Sequence, residues 1–397
     1  MKQVLEGIRV LDCTRIIAGP YCTFLLASMG AEVIRVEKPG GEIDWKVGPP
    51  IWEGTETICP PLHLGCNKKG ITLDIRTDKG QEIFSDLVKK SDIVVQNYSY
   101  GGAEKLKLTY DHLKKSNSKI ILVAISGFGQ TGPYRERNCW DPNAQALSGM
   151  ISLGGFPGTP PSRSPVPVID FSAGCYGALG AMYALRHRDM TGEGQMIDIA
   201  LFDVAISFTG MVAMEMEKAK KTRTQVGNAS HWLMANTFKA KDGSVFISLA
   251  TDPIWKSFCK LIGEEGLLDD PRYINDYHRF INREHLIPVI ENWTSEKTVN
   301  QIVEITEANH IPCSPVNDIQ TAMSDPQVLA REMLLKIDYG GNLGEVPIPG
   351  LVTKLSKTPG KIDKPCPSPG QDNDEIYRNL LGYESGTLEN LAKDRVI

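Results

Sequence analysis

The chain has 397 residues, of which 41% are hydrophobic and 23% are charged, and its formal net charge is −5. This length is enough for two or three domains with a sizeable core, and the composition is that of a globular protein. A net negative chain lacks the overall positive field that general binders of nucleic acids or anionic membranes need. A polyanionic ligand would therefore have to meet a local patch of cations.

Targeting and redox signals are weak throughout the chain. The opening MKQVLEGIRVLD lacks the charged and apolar regions of a signal peptide, and the most apolar stretches, residues 173–185 and 199–214, are shorter than a membrane span. Nine cysteines are scattered without a C-x-x-C pair or metal-ligand spacing. These features predict a cytoplasmic protein with reduced thiols, no membrane or nucleic-acid partner and no metal ion.

Strand and helix patterns alternate through the first 126 residues. Branched residues 8–12 predict a strand, a helix follows from Pro20 to Ser28, and alternation over 31–36 predicts the next strand. Strands alternating with helices predict the α/β class with a Rossmann-like parallel sheet. The same rhythm then predicts strands at 71–73, 92–95 and 120–125 and helices at 79–90 and 110–115.

Composition divides the rest of the chain. Gly, Pro and Ser are frequent in residues 154–167, a loop that leads to a long helix of small residues starting near Asp170. Residues 1–214 are therefore predicted to form a large domain. The charged run at 215–226 predicts a connector, residues 227–316 a smaller α/β domain with a strand at 245–249, and residues 317–397 a C-terminal segment.

Two nucleotide-binding patterns in this sequence are incomplete. The turn CTRIIAG after the first strand has one glycine where a dinucleotide fingerprint has three. Residues 127–132 match G-x-G-x-x-G, but PYRER follows where a helix should present an apolar face. No G-x-S-x-G elbow and no P-loop occurs. A nicotinamide dehydrogenase and a serine hydrolase are therefore disfavoured.

Cations follow each of the predicted strands of the first domain. The carboxyl ends of parallel strands share one edge of a sheet, so these side chains could meet a phosphate-rich ligand there. Solvated loop charges would give a similar spacing, and that alternative stays open. The cations are Arg15, Lys38, Arg76, Lys105, Arg135 and Arg137.

Asp170 is the candidate for covalent chemistry. It precedes FSAGCYGA, whose small residues would admit a ligand close to the backbone. An ordinary helix N-cap is the alternative interpretation. As a functional group, an aspartate at a helix start is expected to be held ionised by the helix dipole, which suits a carboxylate nucleophile.

Eight segments, in order, closely resemble the class III CoA-transferases, the CaiB/BaiF family, which includes formyl-CoA transferase and carnitine CoA-transferase. The resemblance spans nearly the whole chain and implies an interlocked, ring-shaped homodimer whose C-terminal segment returns to the large domain. The segments are GIRVLDCTRIIAGP, GAEVIRVEKPGG, NKKGITLDIRTDKG, DIVVQNYSYG, ISGFGQTGPY, DPNAQALSG, PVIDFSAGCYGALGAMYALRHRDMTGEGQMIDIALFD and IPCSPV.

The resemblance also implies a mechanism and a binding site. Asp170 would attack an acyl-CoA thioester, and an aspartyl-CoA thioester would then pass CoA to a carboxylic acid. Backbone amides near the CTRIIAG turn or the Gly227 loop would stabilise the oxyanions. Coenzyme A is then a substrate, and no tightly bound cofactor is implied. The implied CoA contacts are Ile17, Ala18, Lys38, Leu73, Asp74, Ile75, Arg76, Asn97, Tyr98, Lys105, Arg137, Trp140 and Asp141.

Two other functions fit the same resemblance. An α-methylacyl-CoA racemase shares this fold, but such racemases carry a histidine where this chain has Trp140, and proton exchange needs an acid and a base. A non-catalytic acyl-CoA binding protein would keep the contacts, although Asp170 argues against it. Formyl-CoA:oxalate transferases carry a glutamine at the position of Ile17, which disfavours oxalate as the acceptor here.

Overall fold

The computed structural model describes residues 2–51 and 58–397, which divide into two compact units. Among the described residues, the first comprises 2–51, 58–150, 164–210 and 327–397, and the second comprises Ile151–Arg163 and Met211–Pro326. Residues 151–163, assigned to the large domain from the sequence, therefore group with the second unit. The predicted connector, residues 215–226, begins inside a helix that ends at Ala219.

A six-stranded parallel sheet forms the centre of the first unit. The strand order is β3-β2-β1-β4-β5-β6, so the direction of winding reverses between β1 and β4. The predicted α/β class and parallel sheet are confirmed, whereas β6 was not predicted. The strands are β1 (Arg9–Cys13), β2 (Glu32–Glu37), β3 (Lys68–Thr72), β4 (Ile93–Gln96), β5 (Ile121–Ser126) and β6 (Met196–Ala200).

Sixteen α-helices occur in the described residues. Short 3-10 helices at Ile43–Trp45, Glu265–Leu268 and Pro271–Tyr273 and a π-helix at Glu375–Leu380 accompany them. The α-helices are α1 (Ala18–Ser28), α2 (Cys59–Leu64), α3 (Asp78–Lys89), α4 (Tyr100–Lys105), α5 (Tyr110–Ser116), α6 (Asp141–Leu147), α7 (Met150–Leu153), α8 (Val168–Thr191), α9 (Leu201–Ala219), α10 (Asp252–Ile262), α11 (Asp276–Ile281), α12 (Arg283–Thr294), α13 (Val299–Ala308), α14 (Ile319–Met323), α15 (Pro326–Ala330) and α16 (Ser385–Lys393).

The large sheet separates two hydrophobic cores. Successive side chains of a strand point to opposite faces of a sheet, so Val10 and Leu11 of β1 enter different cores. Val10 packs in the core that contains Leu26 of α1, and Leu11 packs in the one that contains Ile83 of α3. Because both faces are covered, β4 (IVVQ) and β5 (ILVAIS) consist almost entirely of apolar residues.

Small residues allow α8 to pack closely on α1. A Cβ atom added at Gly174 would lie 2.7 Å from the carbonyl oxygen of Ala18, closer than real Cβ atoms approach. The rings of Tyr21 and Phe171 pack edge to face at 4.8 Å between centroids. The first turn of α8 therefore lies beside the first turn of α1.

By length and composition, α8 could cross a membrane. The sequence predicted that residues 173–185 are too short for a membrane span, and this is wrong as to length because the helix extends over Val168–Thr191. Core helices of soluble proteins meet the same criterion. Ala173 and Ala181 are buried in the core of the first unit, whereas Tyr183 is 65% exposed and Met190 is 62% exposed.

The second unit contains an antiparallel sheet with the strand order β7-β8-β9. Its strands are β7 (Ala235–Lys239), β8 (Ser244–Ser248) and β9 (Cys313–Pro315). Phe238 and Phe258 belong to its core. In the first unit, β10 (Leu334–Asp338) and β11 (Glu345–Pro349) form a hairpin.

Candidate active site

Two adjoining cavities lie in the first unit near the reversal point between β1 and β4, where ligands of parallel α/β sheets bind. Both are lined by Arg15 and Tyr98. The aspartate cavity, of about 250 Å³, is also lined by Ile16, Ile17, Ala18, Ile43, Asn97, Ser99, Ile125, Ser126, Gly127, Cys139, Trp140, Asp170 and Leu201. The cationic cavity, of about 500 Å³, is also lined by Val36, Lys38, Glu42, Leu73, Asp74, Ile75, Arg76, Gly102, Lys105 and Leu106.

Asp170 is the third residue of α8, which begins at Val168. The carboxylate that caps this helix belongs instead to Asp141, whose Oδ2 accepts hydrogen bonds from the backbone N–H of Ile169 at 2.7 Å and of Asp170 at 3.1 Å. The interpretation of Asp170 as an ordinary N-cap is therefore wrong, and its carboxyl group is left to face the cavity.

Burial and, to a lesser extent, the nearby negative charge of Asp141 together raise the pKa of Asp170 to about 7. The expectation that the helix start holds Asp170 ionised is wrong, because desolvation and a like charge outweigh the dipole. At neutral pH the carboxyl group divides about equally between its two forms. A carboxylate that is poorly solvated and titrates near neutrality is suited to nucleophilic work.

Gln145 holds Asp141 in place. Its Nε2 donates to Asp141 Oδ1 at 2.5 Å, and its Oε1 accepts from the backbone N–H of Ser164 at 2.9 Å. Asp141 and Gln145 are both buried. Both carboxylate oxygens of Asp141, implied as a CoA contact by the resemblance, are thus engaged within the protein. A ligand contact at this residue is left to its backbone.

The turn between β1 and α1 forms one wall of the aspartate cavity. Ile16 has φ of 69°, a left-handed conformation that is rare for a β-branched residue. Asn97 clamps the turn, since its Oδ1 accepts from the backbone N–H of Arg15 at 2.9 Å and its Nδ2 donates to the Arg15 carbonyl at 2.7 Å. This clamp joins the ends of β1 and β4.

The first turn of α1 brings hydrogen-bond donors to the same wall. The N-cap residue is Ile17, and its aliphatic side chain makes no capping hydrogen bond. The amides of a helix start have no partner within the helix. Ile17 and Ala18, both implied CoA contacts, line the aspartate cavity together with Asp170, Asn97 and Trp140.

The cationic cavity gathers seven of the implied CoA contacts, including Lys38, Arg76 and Lys105. Arg76 forms a bidentate pair with Asp74, at 2.7 Å for both hydrogen bonds. Neither Lys38 nor Lys105 forms an ion pair with another described residue. All three cations are exposed to solvent. Lys38 and Lys105 are free to meet an anion, whereas Arg76 already binds the carboxylate of Asp74.

Arg137 is not brought to either cavity. It lies in the exposed stretch of residues 131–138, where its guanidinium carbon is 4.3 Å from the centroid of the Tyr134 ring. Arg135 lies over Tyr100 in the same way, at 4.7 Å. The strand-end argument for a phosphate contact therefore gains no geometric support at these two residues.

Several residues of the aspartate cavity were missed by the sequence reasoning. Ser126 ends β5 and lines the cavity, so the strand-end rule used for the cations could have found it. Ser99 and Cys139 also line it. Gln145 left no signal, because its role depends on contacts with residues brought close only by the fold.

Comparisons with known proteins agree with one another. Residues 5–373 match the model of CoA-transferase family III. The chain is similar to succinyl-CoA–D-citramalate CoA-transferase of Chloroflexus aurantiacus, at 34% identity over 99% of this chain and 98% of that protein. It is 29% identical to human succinyl-CoA:glutarate CoA-transferase, over 99% and 90% of the two chains. A CaiB/BaiF family protein from Brucella suis has a crystal structure that matches with a TM-score of 0.82 and 32% identity, over 96% of this chain and 100% of that one.

Proposed function

The chain belongs to CoA-transferase family III, and from this premise we propose that it moves coenzyme A from an acyl-CoA thioester to a carboxylic acid, with Asp170 as the covalent nucleophile. The observation that carries the proposal is a partly buried carboxyl group, with a pKa of about 7, in a cavity that adjoins a cation-lined one. Both relatives described above carry succinyl-CoA in their names. We therefore expect a dicarboxylic acyl-CoA as donor and a dicarboxylic acid as acceptor.

In this proposal coenzyme A lies across both cavities. Its phosphates occupy the cationic cavity, where Lys38, Arg76 and Lys105 offset their charge. The pantetheine arm passes Tyr98, which lines both cavities, and the thioester reaches Asp170.

The proposed reaction needs four nucleophilic attacks. The Asp170 carboxylate attacks the thioester carbonyl and the C–S bond breaks, which gives a mixed anhydride and CoA thiolate. The thiolate attacks the aspartyl carbonyl, releases the donor acid as a carboxylate and leaves an aspartyl-CoA thioester. The acceptor carboxylate attacks that thioester to form a second anhydride. The freed thiolate finally attacks the acceptor carbonyl, and Asp170 returns to its carboxylate form.

Each attack places negative charge on a carbonyl oxygen. The free amides at the start of α1, beside Ile17 and Ala18, are the proposed donors to that oxygen. Asp141 has a positioning role here, because it holds the start of α8 through two backbone amides. Its charge also keeps the Asp170 carboxylate basic and therefore reactive.

Trp140 supports transfer over racemisation. The indole lines the aspartate cavity beside Asp170 and is 55% exposed. Racemisation needs a second acid or base on the opposite face of the substrate, and an indole does not exchange protons near neutral pH. Asp170 then acts as a nucleophile and not as one member of an acid–base pair.

A homodimer belongs to the same proposal. Apolar side chains of α8 and α9 are exposed in the single chain, among them Tyr183, Met190 and Phe208. Exposed apolar groups of this size are typical of surfaces that contact another chain. Sedimentation at micromolar concentration is expected to give a dimer, and a folded monomer would contradict this part of the proposal.

The decisive experiment incubates the purified protein with a panel of acyl-CoA donors and carboxylic acids and detects new CoA thioesters by mass spectrometry. Turnover in the presence of hydroxylamine should trap Asp170 as its hydroxamate. The panel includes 2-methylacyl-CoA in D₂O without an acceptor. Rapid α-deuteration that depends on Asp170 would favour a racemase, and CoA binding without turnover of any donor would favour a binding protein.

A further inference from the structure

We infer that Arg15 binds the distal carboxylate of a dicarboxylic acyl group and thereby selects substrates of the succinyl type. The inference rests on the proposed function, because it concerns the same cavity. It assigns the recognition of the substrate class to one residue, which lies in the turn between β1 and α1 and outside the set of implied CoA contacts.

Charge balance in the aspartate cavity gives the first argument. Among the described residues that line it, Arg15 is the only cation, and Asp170 is the only acid. A dicarboxylic acyl group brings a second carboxylate into this small space, where it would be repelled by the carboxylate of Asp170. Arg15 supplies the opposite charge that such a substrate needs.

The guanidinium of Arg15 is held in place but is not saturated. Its central carbon lies 4.1 Å from the centroid of the Tyr98 ring, a contact that orients the plane of the group. Its ion pair with Glu42 is long, since Nη1 and Oε2 are 3.8 Å apart, farther than a hydrogen bond. Two parallel N–H groups are therefore available for bidentate binding of a carboxylate.

The backbone at Arg15 is fixed by contacts that do not involve the Arg15 side chain. Asn97 bonds both the N–H and the carbonyl of Arg15, and the next residue, Ile16, is held in a left-handed conformation. Such strained residues persist only where the surrounding structure enforces them. Because the clamp involves only main-chain atoms of Arg15, replacing its side chain leaves the turn supported.

Arg15 also lines the cationic cavity, so a contact with the phosphates of CoA is the competing role. The two roles predict different results. A phosphate contact would affect every acyl-CoA by the same factor, because all carry the same nucleotide. A contact with the distal carboxylate would affect only donors that have one.

The test compares succinyl-CoA with butyryl-CoA, which has the same number of acyl carbons but no distal carboxylate. The first half-reaction, formation of the aspartyl-CoA enzyme, is followed by intact-protein mass spectrometry at subsaturating donor, so that no acceptor enters. For Arg15→Gln we expect the second-order rate constant to fall about 100-fold with succinyl-CoA and less than about threefold with butyryl-CoA. Arg15→Lys keeps the positive charge but loses the two parallel N–H groups. Its rate constant with succinyl-CoA should therefore lie between those of Arg15→Gln and the wild-type protein.

Arg76→Gln is the matched control from the cationic cavity, and it should slow both donors equally. Equal losses with both donors in Arg15→Gln would overturn the inference in favour of the phosphate role, as would a wild-type protein without preference for succinyl-CoA. A wild-type protein that forms no aspartyl-CoA with any donor would refute the proposed function instead. Thermal denaturation of each variant separates these outcomes from misfolding.

Discussion

The two cavities of the first unit adjoin each other but differ in the exposure of their charged groups. In the cationic cavity, Lys38, Arg76 and Lys105 are exposed, so water and salt screen each of them. In the aspartate cavity a single carboxyl group is largely removed from water, and its pKa rises to about 7. Exposed charge attracts a ligand weakly and additively, whereas buried charge becomes reactive because water no longer stabilises it.

The largest effect is expected at the buried carboxyl group. Asp170→Ala should lower kcat by about 10⁴-fold or more, because a covalent nucleophile has no substitute. CoA binding measured by calorimetry should change little. Asp189→Ala, which removes an exposed carboxylate from the other end of α8, is the control. A folded Asp170→Ala protein with a tenth of the wild-type rate would show that the aspartate cavity is not the reaction centre.

The cationic cavity should respond in KM rather than in kcat. The triple variant Lys38→Gln, Arg76→Gln, Lys105→Gln should raise KM for the acyl-CoA by about 30-fold, with about threefold from each exposed cation. The salt dependence of KM should become shallower.

Lys89→Gln provides the control for the loss of positive charge, because Lys89 is an exposed cation that pairs with Asp86 on α3 and lines neither cavity. It should leave KM for the acyl-CoA unchanged. An unaltered KM in the triple variant would contradict the role of the cationic cavity in binding the acyl-CoA.

The pH dependence of aspartyl-CoA formation should come from Asp170 and not from the cations of the cationic cavity. Since the carboxylate is the nucleophile, the rate constant for aspartyl-CoA formation should rise about tenfold per pH unit below the pKa of about 7 of Asp170 and level off above it. Asp141→Asn should shift this profile to lower pH, because the negative charge of Asp141 raises the pKa of Asp170. Arg76→Gln should keep the wild-type midpoint, and a flat wild-type profile between pH 5.5 and 8 would contradict the assignment.

The smallest effect concerns stability. The pKa of Asp170 is higher in the folded protein than its ordinary value of 3.8, so ionisation destabilises the fold as the pH rises from about 4 to 7. Asp170→Asn should therefore increase the free energy of unfolding at pH 8 by about 1–2 kcal/mol, allowing for solvent screening. Urea denaturation should show this difference disappearing towards pH 4. A constant difference at both pH values would indicate that ionisation is not its cause.

Much of the first unit was predictable because its strands are short apolar runs between helical segments. The predicted bounds differ from β1, β2, β4 and β5 by a residue or so. The strand β6 was missed because MIDIA is short and contains Asp198. The grouping of residues 151–163 with the second unit depends on distant contacts, such as the hydrogen bond from Gln225 Nε2 to the Gly154 carbonyl, and no local pattern records them.

The candidate site was also predictable in part, because its position follows from the order and direction of the strands. Parallel strands share an edge, so the strand-end rule gathered Lys38, Arg76 and Lys105 in one cavity. The rule gains no geometric support at Arg137, because the stretch after β5 is exposed and the guanidinium lies on Tyr134. The capping of α8 by Asp141 joins residues 28 positions apart, so the spacing rules for helix caps could not reveal it.

The closeness of Gly174 to the Ala18 carbonyl makes the spacing of the two helix starts depend on the absence of a side chain at position 174. Changes in the apolar lining alter the size of the aspartate cavity, yet they leave the backbone of the nucleophile where it is. A side chain at position 174 would act as a spacer between α1 and α8 and would draw Asp170 away from the amides beside Ile17. Mutational tolerance is therefore expected to be low at Gly174, which does not itself line the aspartate cavity.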